Sequence, residues 1–160
     1  EPDEQILVIT HQKARLASTH RRYPSAFLAE SIRQQHGNVR ALDISAHPTS
    51  GERKAMRRAA RAADVIIMAT VNANLDQQEA ELMQALIQLE RPIVGIALGN
   101  PYDLLAFPEL RTYVATYEYT VPALTAAART IFGVVPAQGR LPVSLPGLYP
   151  LAHAAGDGSL

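Results

Sequence analysis

The side chains best suited to chemistry follow two apolar runs in the second half of the chain. Asn100, Tyr102 and Asp103 come directly after one run, and Tyr117 and Glu118 end the next. At an interface with another domain, aromatic side chains can supply contact area and carboxylates can fix the orientation. These five residues form the predicted site, either for a substrate or for contact with another domain, and none of them is predicted to be catalytic.

The loop that holds the first three residues has a defined exit from the predicted sheet. Pro101 biases Asn100 toward an extended conformation, which fixes the direction in which the loop leaves the strand. Ligands of open α/β sheets bind beyond the carboxyl ends of the strands, where this loop would lie. Asp103 also has a purely structural interpretation, as the cap of a short turn at Leu104 and Leu105.

The phosphate and nucleophile motifs of common α/β enzymes are absent. The chain has no Gly-x-Gly-x-x-Gly, no Walker A sequence and no Gly-x-Ser-x-Gly elbow. The segment after the first apolar run has no glycine before Gly37, so its backbone N–H groups cannot easily close on a phosphate. A phosphoacceptor domain would need carboxylates after the first and third runs, where Thr10 and Thr70 stand instead. We therefore expect no cofactor.

The histidines are scattered, with no HExxH motif and no i, i+4 pair, so no metal site is predicted. They are His11, His20, His36, His47 and His153. His11 is the best functional candidate among them, because it should lie at a strand's carboxyl end and can change charge near neutral pH.

A basic stripe lies on the second predicted helix, where Arg53, Arg57 and Arg61 share one face. It could contact phosphate or an anionic glycan. Alternatively, it is a solvated face that is offset by nearby acidic residues.

The elements that must position these residues alternate along the chain. Apolar or half-apolar runs predict five strands, at residues 5–10, 39–44, 64–70, 92–98 and 112–117. Strands that are apolar throughout are typical of a parallel sheet covered on both faces. We predict an α/β three-layer sandwich with a mostly parallel, flavodoxin-like sheet.

Capping and stop signals place the predicted helices between the strands. Pro24 suits the first turn of helix one, and Ser50 is the predicted cap of helix two. Asp76 and Glu79 have the spacing of a capping box for helix three. The last helix is expected to begin near Pro122 and to end at Gly133.

The character of the chain changes after residue 133. Residues 1–133 are predicted to be the sandwich core and residues 134–160 a tail that is rich in proline and glycine and packs on the core or on a partner. Within the tail, residues 141–145 could add one strand at an edge of the sheet, where proline is tolerated.

Composition narrows the classes of protein. The 160 residues suit one domain, and fifteen basic residues balance fifteen acidic ones, which argues against a nucleic-acid or membrane-surface binder. No cysteine is present, so disulfides and thiolate chemistry are excluded. The apolar runs are too short to span a membrane. Cytoplasm is favoured over export, and the absence of Met at Glu1 suggests a processed product or a fragment.

One ordered series of motifs is more specific than all of these features. It consists of NPYD at 100–103, TYEYT at 116–120, IFG at 131–133, GRLPVS at 139–144 and LYP at 148–150. The series resembles the carboxyl-terminal domain of family 3 glycoside hydrolases, in particular the bacterial β-N-acetylhexosaminidase branch. The chain departs from that pattern after Pro150, where Leu151 and Ala152 replace an expected glycine.

The resemblance implies that catalysis occurs elsewhere. Family 3 enzymes are retaining glycosidases with an aspartate nucleophile on an upstream (β/α)₈ barrel, and in this branch the acid/base is a His–Asp pair on a barrel loop with a KHFPGHG motif. None of these elements occurs in the 160 residues. The implied partner is that barrel, and this chain alone is expected to be inactive. Some other branches take the acid/base carboxylate from the second domain, which would make Glu118 the candidate.

Two functions from different classes remain at this point. The first is an accessory domain of an enzyme that removes terminal N-acetylglucosamine from peptidoglycan or chito-oligosaccharides. The second is a freestanding module that binds an aminosugar or muropeptide without hydrolysis, through Asn72, Asn74, Asn100 and Asp103, with Tyr102 or Tyr117 stacked on the ring.

Overall fold

The computed structural model of the chain describes residues 3–11 and 26–155. Ten elements follow one another along the chain, and they are β1 (Ile6–His11), α1 (Ala26–Arg33), β2 (Val39–Ile44), α2 (Ser50–Ala62), β3 (Val65–Thr70), α3 (Gln77–Ile87), β4 (Ile93–Ala97), the 3₁₀ helix η1 (Pro101–Ala106), β5 (Tyr113–Ala115) and α4 (Val121–Ile131). His20 and Pro24, the proline predicted for the first turn of helix one, lie outside the described residues.

The five strands form one sheet in the order β2-β1-β3-β4-β5, and every pair is parallel. Helices α1 and α4 pack against each other, as do α2 and α3, each pair with its own apolar core. This is the three-layer α/β arrangement with flavodoxin-like strand order that the sequence predicts. The described strands form no closed barrel.

Both faces of the sheet are buried, which explains why the central strands are apolar throughout. Along β1, Leu7 and Ile9 join the core on the α2–α3 side, whereas Ile6 and Val8 join the core on the α1–α4 side. Side chains alternate between the two faces of a strand, so a strand covered on both faces needs apolar residues at successive positions.

The cap of α2 is Thr49, so the prediction of Ser50 is wrong by one position. Thr49 Oγ1 accepts from Glu52 N at 3.2 Å, and the Glu52 carboxylate accepts from Thr49 N at 2.8 Å. This reciprocal pair is a capping box, and its hydrogen bonds lower the pKa of Glu52 to about 2. Ser50 is displaced from the cap because the Thr49–Glu52 spacing satisfies two backbone donors at once.

The capping box predicted at α3 forms only in half. Asp76 Oδ1 accepts from Gln78 N at 3.1 Å, as an N-cap should. Glu79 is buried and instead accepts from Val71 N at 2.9 Å, so its carboxylate supports the loop after β3. The spacing is that of a capping box, but the N–H of Val71 binds the carboxylate that would have completed it.

The tail adds no strand to the sheet within the described residues, so the predicted edge strand at 141–145 is wrong. Its antiparallel bridges join Arg140 to Ala154 and Leu145 to Tyr149, both inside the tail. Prolines 142 and 146 lack the N–H that a ladder needs, which favours this self-contained fold. Gly133 ends α4 with φ +69°, as its predicted role as a stop requires.

Candidate functional site

The loops after β3 and β4 are joined at the carboxyl edge of the sheet by two asparagines. Asn100 Nδ2 donates to Asn72 Oδ1 at 2.7 Å, and Asn100 Oδ1 accepts from Tyr102 N at 2.9 Å. Asn100 is thus both the N-cap of η1 and the link to the neighbouring loop. It lies at the carboxyl edge, as the sequence predicts, and both polar atoms of its side chain form hydrogen bonds within these two loops.

Asp103 is completely buried beneath this edge, with 0% of its surface exposed. Its Oδ2 accepts from Thr70 Oγ1 at 2.7 Å, and the backbone N–H groups of residues 72–74 face the carboxylate. Burial raises the pKa of Asp103, and these donors oppose that rise. The alternative that Asp103 caps the turn at Leu104 and Leu105 is wrong, because Asn100 is the N-cap of η1. Asp103 instead binds Thr70 at the end of β3.

Tyr113 is a member of this cluster that sequence reasoning missed. Its hydroxyl donates to the Pro101 carbonyl at 3.2 Å, and burial together with the Asp103 charge raises the pKa of the phenol. The signal available in the sequence was a tyrosine at the start of a strand next to the NPYD loop. Tyr102 is half-buried and packs against the core, so its ring is only partly available for stacking.

Tyr117 and Glu118 lie in the turn after β5 and not at the end of the strand, which corrects their predicted position. Tyr117 has φ +61°, a conformation incompatible with a continuing strand. Thr116 Oγ1 lies 2.9 Å from the Glu118 carbonyl and 3.1 Å from that of Ala97, which holds the turn to β4. Both predicted side chains are exposed, and no hydrogen bond within the described residues joins either to the Asn100–Asp103 loop.

Exposed apolar side chains occur in the loops after three adjacent strands. Leu75 is 81% exposed after β3, Leu105 is 38% exposed after β4, and Tyr117 and Val121 are 44% and 49% exposed after β5. We call these four the edge residues. Since the strands are parallel, all four lie on the carboxyl edge, where they form a surface that a protein partner could cover.

His11 ends β1 but is buried, with its Nε2 3.9 Å from Glu79 Oε1. Next to it, the Thr10 hydroxyl donates to the Asp43 carboxylate. His11 thus belongs to the interior of this edge and not to its exposed surface. The described residues contain no group of His, Asp and Glu suited to a metal ion.

The basic stripe of α2 is partly neutralised by the neighbouring helix. Arg53 lies 3.8 Å from Glu81 of α3 and donates to the Pro48 carbonyl. Arg57 and Arg61 are exposed. These contacts favour the interpretation of a solvated, charge-balanced face.

No protein-family model matches the sequence, and no curated protein matches it. Solved structures do match. A fungal multi-domain GH3 β-N-acetylglucosaminidase, which also has a GCN5-related glucosamine N-acetyltransferase region, superposes with a TM-score of 0.80 and 28% identity over 99% of this chain. A GH3 β-N-acetylglucosaminidase from Paenibacillus sp. strain FPU-7 gives a TM-score of 0.79 at 24% identity over 89%.

The chain has the fold of the accessory carboxyl-terminal domain of family 3 β-N-acetylglucosaminidases. It spans 17% of the fungal enzyme and 27% of the Paenibacillus enzyme, so each of those proteins is far larger. A β-glucoside phosphorylase, BglX, shares the fold at a TM-score of 0.56 and 13% identity. The family 3 resemblance read from the NPYD to LYP series is therefore confirmed at the level of structure.

Proposed function

We propose that this chain is the accessory domain of a family 3 glycosidase that removes terminal N-acetylglucosamine, with the catalytic groups on a (β/α)₈ barrel of the same enzyme. The observation that carries the proposal is the match to the fungal β-N-acetylglucosaminidase over 99% of this chain. Peptidoglycan fragments or chito-oligosaccharides are the substrates that such a parent would take.

The arrangement of carboxylates supports an accessory role. A retaining glycosidase needs two catalytic groups about 5 Å apart on either side of the sugar bond. Asp103 is buried and engaged by Thr70, so it cannot approach a substrate. Glu118 is exposed on a turn, and no hydrogen bond among the residues that the structure describes connects this turn to the Asn100–Asp103 loop. The five predicted site residues are better suited to shaping and supporting an interface.

The barrel would dock on the carboxyl edge, through the edge residues. The loops of Leu75 and Leu105 are held together by Asp103, Asn100 and Glu79. The turn of Tyr117 is held to β4 by the Thr116 hydroxyl, so the apolar side chains are presented on a rigid support. The tail that begins at residue 134 also has exposed apolar side chains, at Val134 and Leu151, but Val134 follows the end of α4 and therefore lies at the opposite edge of the sheet. The division between core and tail at residue 133 is part of this proposal.

The first test is enzymatic. The pure chain, mixed with a chromogenic N-acetylglucosaminide, is expected to give no turnover, because the described edge presents no catalytic pair. A polypeptide in which a family 3 barrel precedes the chain is expected to hydrolyse the same substrate. Turnover by the chain alone would overturn the proposal.

The second test addresses the docking edge. Leu75→Asp is expected to weaken binding of this chain to a separately produced barrel by about tenfold or more, because it places a charge in the desolvated centre of an apolar contact. The free energy of unfolding of the isolated chain should change by less than about 0.5 kcal/mol, since Leu75 is exposed. Titration calorimetry and urea denaturation measure the two quantities.

The matched control is Gln34→Asp, which adds the same charge at an exposed position just after α1, on the opposite edge of the sheet. It should leave the affinity for the barrel unchanged. Equal weakening by both variants would show that the effect is general electrostatics and would argue against docking at the carboxyl edge.

The binding-module alternative is favoured by one observation, which is that Asn72 and Asn74 are exposed beside the edge residues. Their amides could hydrogen-bond an aminosugar. Calorimetric titration with N-acetylglucosamine oligomers distinguishes the two functions: binding heat at millimolar ligand supports the module, and its absence supports the accessory domain.

A further inference from the structure

A groove of about 660 Å³ lies between β5, α4 and the tail. We call it the β5 groove. Its size falls in the range of ligand-binding clefts. Its wall on the α4 side is made of small residues, namely Ala123, Ala126 and Ala127, which leave room for the side chains of an incoming segment. The opposite wall is the tail, from Pro136 to Ala155.

The floor of the β5 groove is the outer side of β5, the last strand of the sheet. Gly95 N donates to Thr112 O and Thr116 N donates to Ala97 O, so even-numbered residues of this segment face β4. Backbone direction alternates along a strand, so the N–H and C=O groups of Tyr113 and Ala115 point away from β4, toward the groove. The β-bridges of the tail join tail residues to one another, so no described residue pairs with the outer side of β5.

The two edge strands of the sheet differ in how they discourage pairing with other chains. β2, at the other edge, has exposed charged residues at Arg40 and Asp43, which is a common protection against strand addition. β5 reads Tyr-Val-Ala and has no charge. Its edge is therefore suited to accept a strand, within a groove that restricts what can enter.

The charge of the β5 groove selects the kind of segment. Arg111 and Arg140 line it, and no Asp or Glu is among its described lining residues. Arg140 donates to the Ala152 carbonyl at 3.0 Å, which fixes the guanidinium on the tail wall. Tyr149 stacks on His153 at a ring distance of 4.4 Å on the same wall. Among the described lining residues the acidic or basic side chains other than histidine are therefore both arginines, on a chain whose net charge is zero.

We propose that the β5 groove binds an extended, acidic peptide segment of another protein, which adds to the sheet as a sixth strand beside β5. The main-chain groups of Tyr113 and Ala115 supply the hydrogen bonds of strand addition, and Arg111 attracts the carboxylates. A saccharide would satisfy the arginines only if anionic and would not use the regular spacing of the backbone groups. The proposal does not require the proposed glycosidase role, because its hydrogen bonds come from Tyr113 and Ala115 along the side of the sheet; the two surfaces meet at Tyr117, which lines the groove and is also an edge residue.

The probe is a blocked seven-residue peptide, Thr-Val-Glu-Val-Glu-Val-Thr, with a counterpart in which lysine replaces glutamate. Fluorescence anisotropy with the whole chain should show that the glutamate peptide binds about tenfold or more tightly than the lysine peptide. Arg111→Glu should abolish that preference. Equal affinity of the two peptides, or no binding of either, would overturn the proposal.

Backbone pairing is tested on the peptide, so that folding of the protein is not at issue. Two versions of the glutamate peptide are N-methylated at alternate, complementary positions. A strand that pairs on one side donates from every second residue, so one version should lose about tenfold or more in affinity while the other binds nearly as well as the parent. Equal loss in both, or displacement of the peptide by an anionic oligosaccharide at equal concentration, would contradict strand addition.

Discussion

Asp103→Ala is expected to lower the free energy of unfolding by about 3 kcal/mol, because it leaves the buried Thr70 hydroxyl without its acceptor and opens a small cavity where the carboxylate was. The backbone N–H groups of residues 72–74, which face the carboxylate, would also lose the negative charge beside them. Urea denaturation of the isolated chain measures the change. Asp103→Asn keeps an oxygen acceptor and should cost clearly less, so equal losses in the two variants would contradict this explanation.

The same carboxyl gives the stability of the domain a pH dependence of known sign. Burial raises the pKa of Asp103 above its unfolded value of 3.8, so between these two pKa values the folded state holds a proton that the unfolded state has released. The contribution is fully present below pH 3.8 and is lost as pH rises through the folded pKa. Asp103→Asn should remove this decline from the stability curve, and parallel curves for the two proteins would show that Asp103 is not responsible.

Phe107→Ala is expected to cost about 4 kcal/mol, because it opens a cavity in the core on the α2–α3 side. Phe107 is completely buried, and it ends η1 with its N–H on the Leu104 carbonyl at 3.2 Å. Its carbonyl then accepts from Leu110 N at 3.0 Å. The alanine variant keeps these two backbone bonds, so thermal or urea denaturation should report the loss of the buried ring, which we expect to be one of the largest losses of any single change.

The matched control is Leu105→Ala in the same loop. Leu105 is an edge residue and is partly exposed, so its truncation should change stability much less than that of Phe107. If the two substitutions cost the same, the loop would owe its stability to something other than the burial of the Phe107 ring.

The fold was predictable because its signals are local. Continuous apolar runs such as β1 and β3 predict strands covered on both faces. The end of α4 at Gly133 depends only on the conformation of neighbouring residues. The tail was not predictable in this way. Proline content allowed an edge strand, but whether residues 141–145 pair with the sheet or within the tail depends on tertiary competition.

The candidate site shows the same division. The sequence placed Asn100 and Asp103 at the carboxyl edge, but it could not distinguish an exposed carboxylate from a buried one. Asp103 is buried, and its carboxylate accepts a hydrogen bond from Thr70, which lies 33 residues earlier in the chain. Glu79 was assigned to a local capping box, and a backbone N–H eight residues away takes it instead. The sequence therefore indicates which side chains belong to the candidate site, but the role of each depends on contacts with residues far away in the chain.

The double burial of β1 and β3 creates a problem of register, because a strand that is apolar on both faces can shift by one residue with little change in its hydrophobic contacts. A one-residue shift moves every group by about 3.3 Å along the strand, too far for a hydrogen bond to survive. The bonds of Thr70 to Asp103, of Thr10 to Asp43 and of Gln5 N to Asp64 would all break. These polar pairs therefore penalise misaligned sheets. One of them, Thr70 with Asp103, belongs to the candidate site, so the same contact that supports the site also helps to select one alignment of the strands.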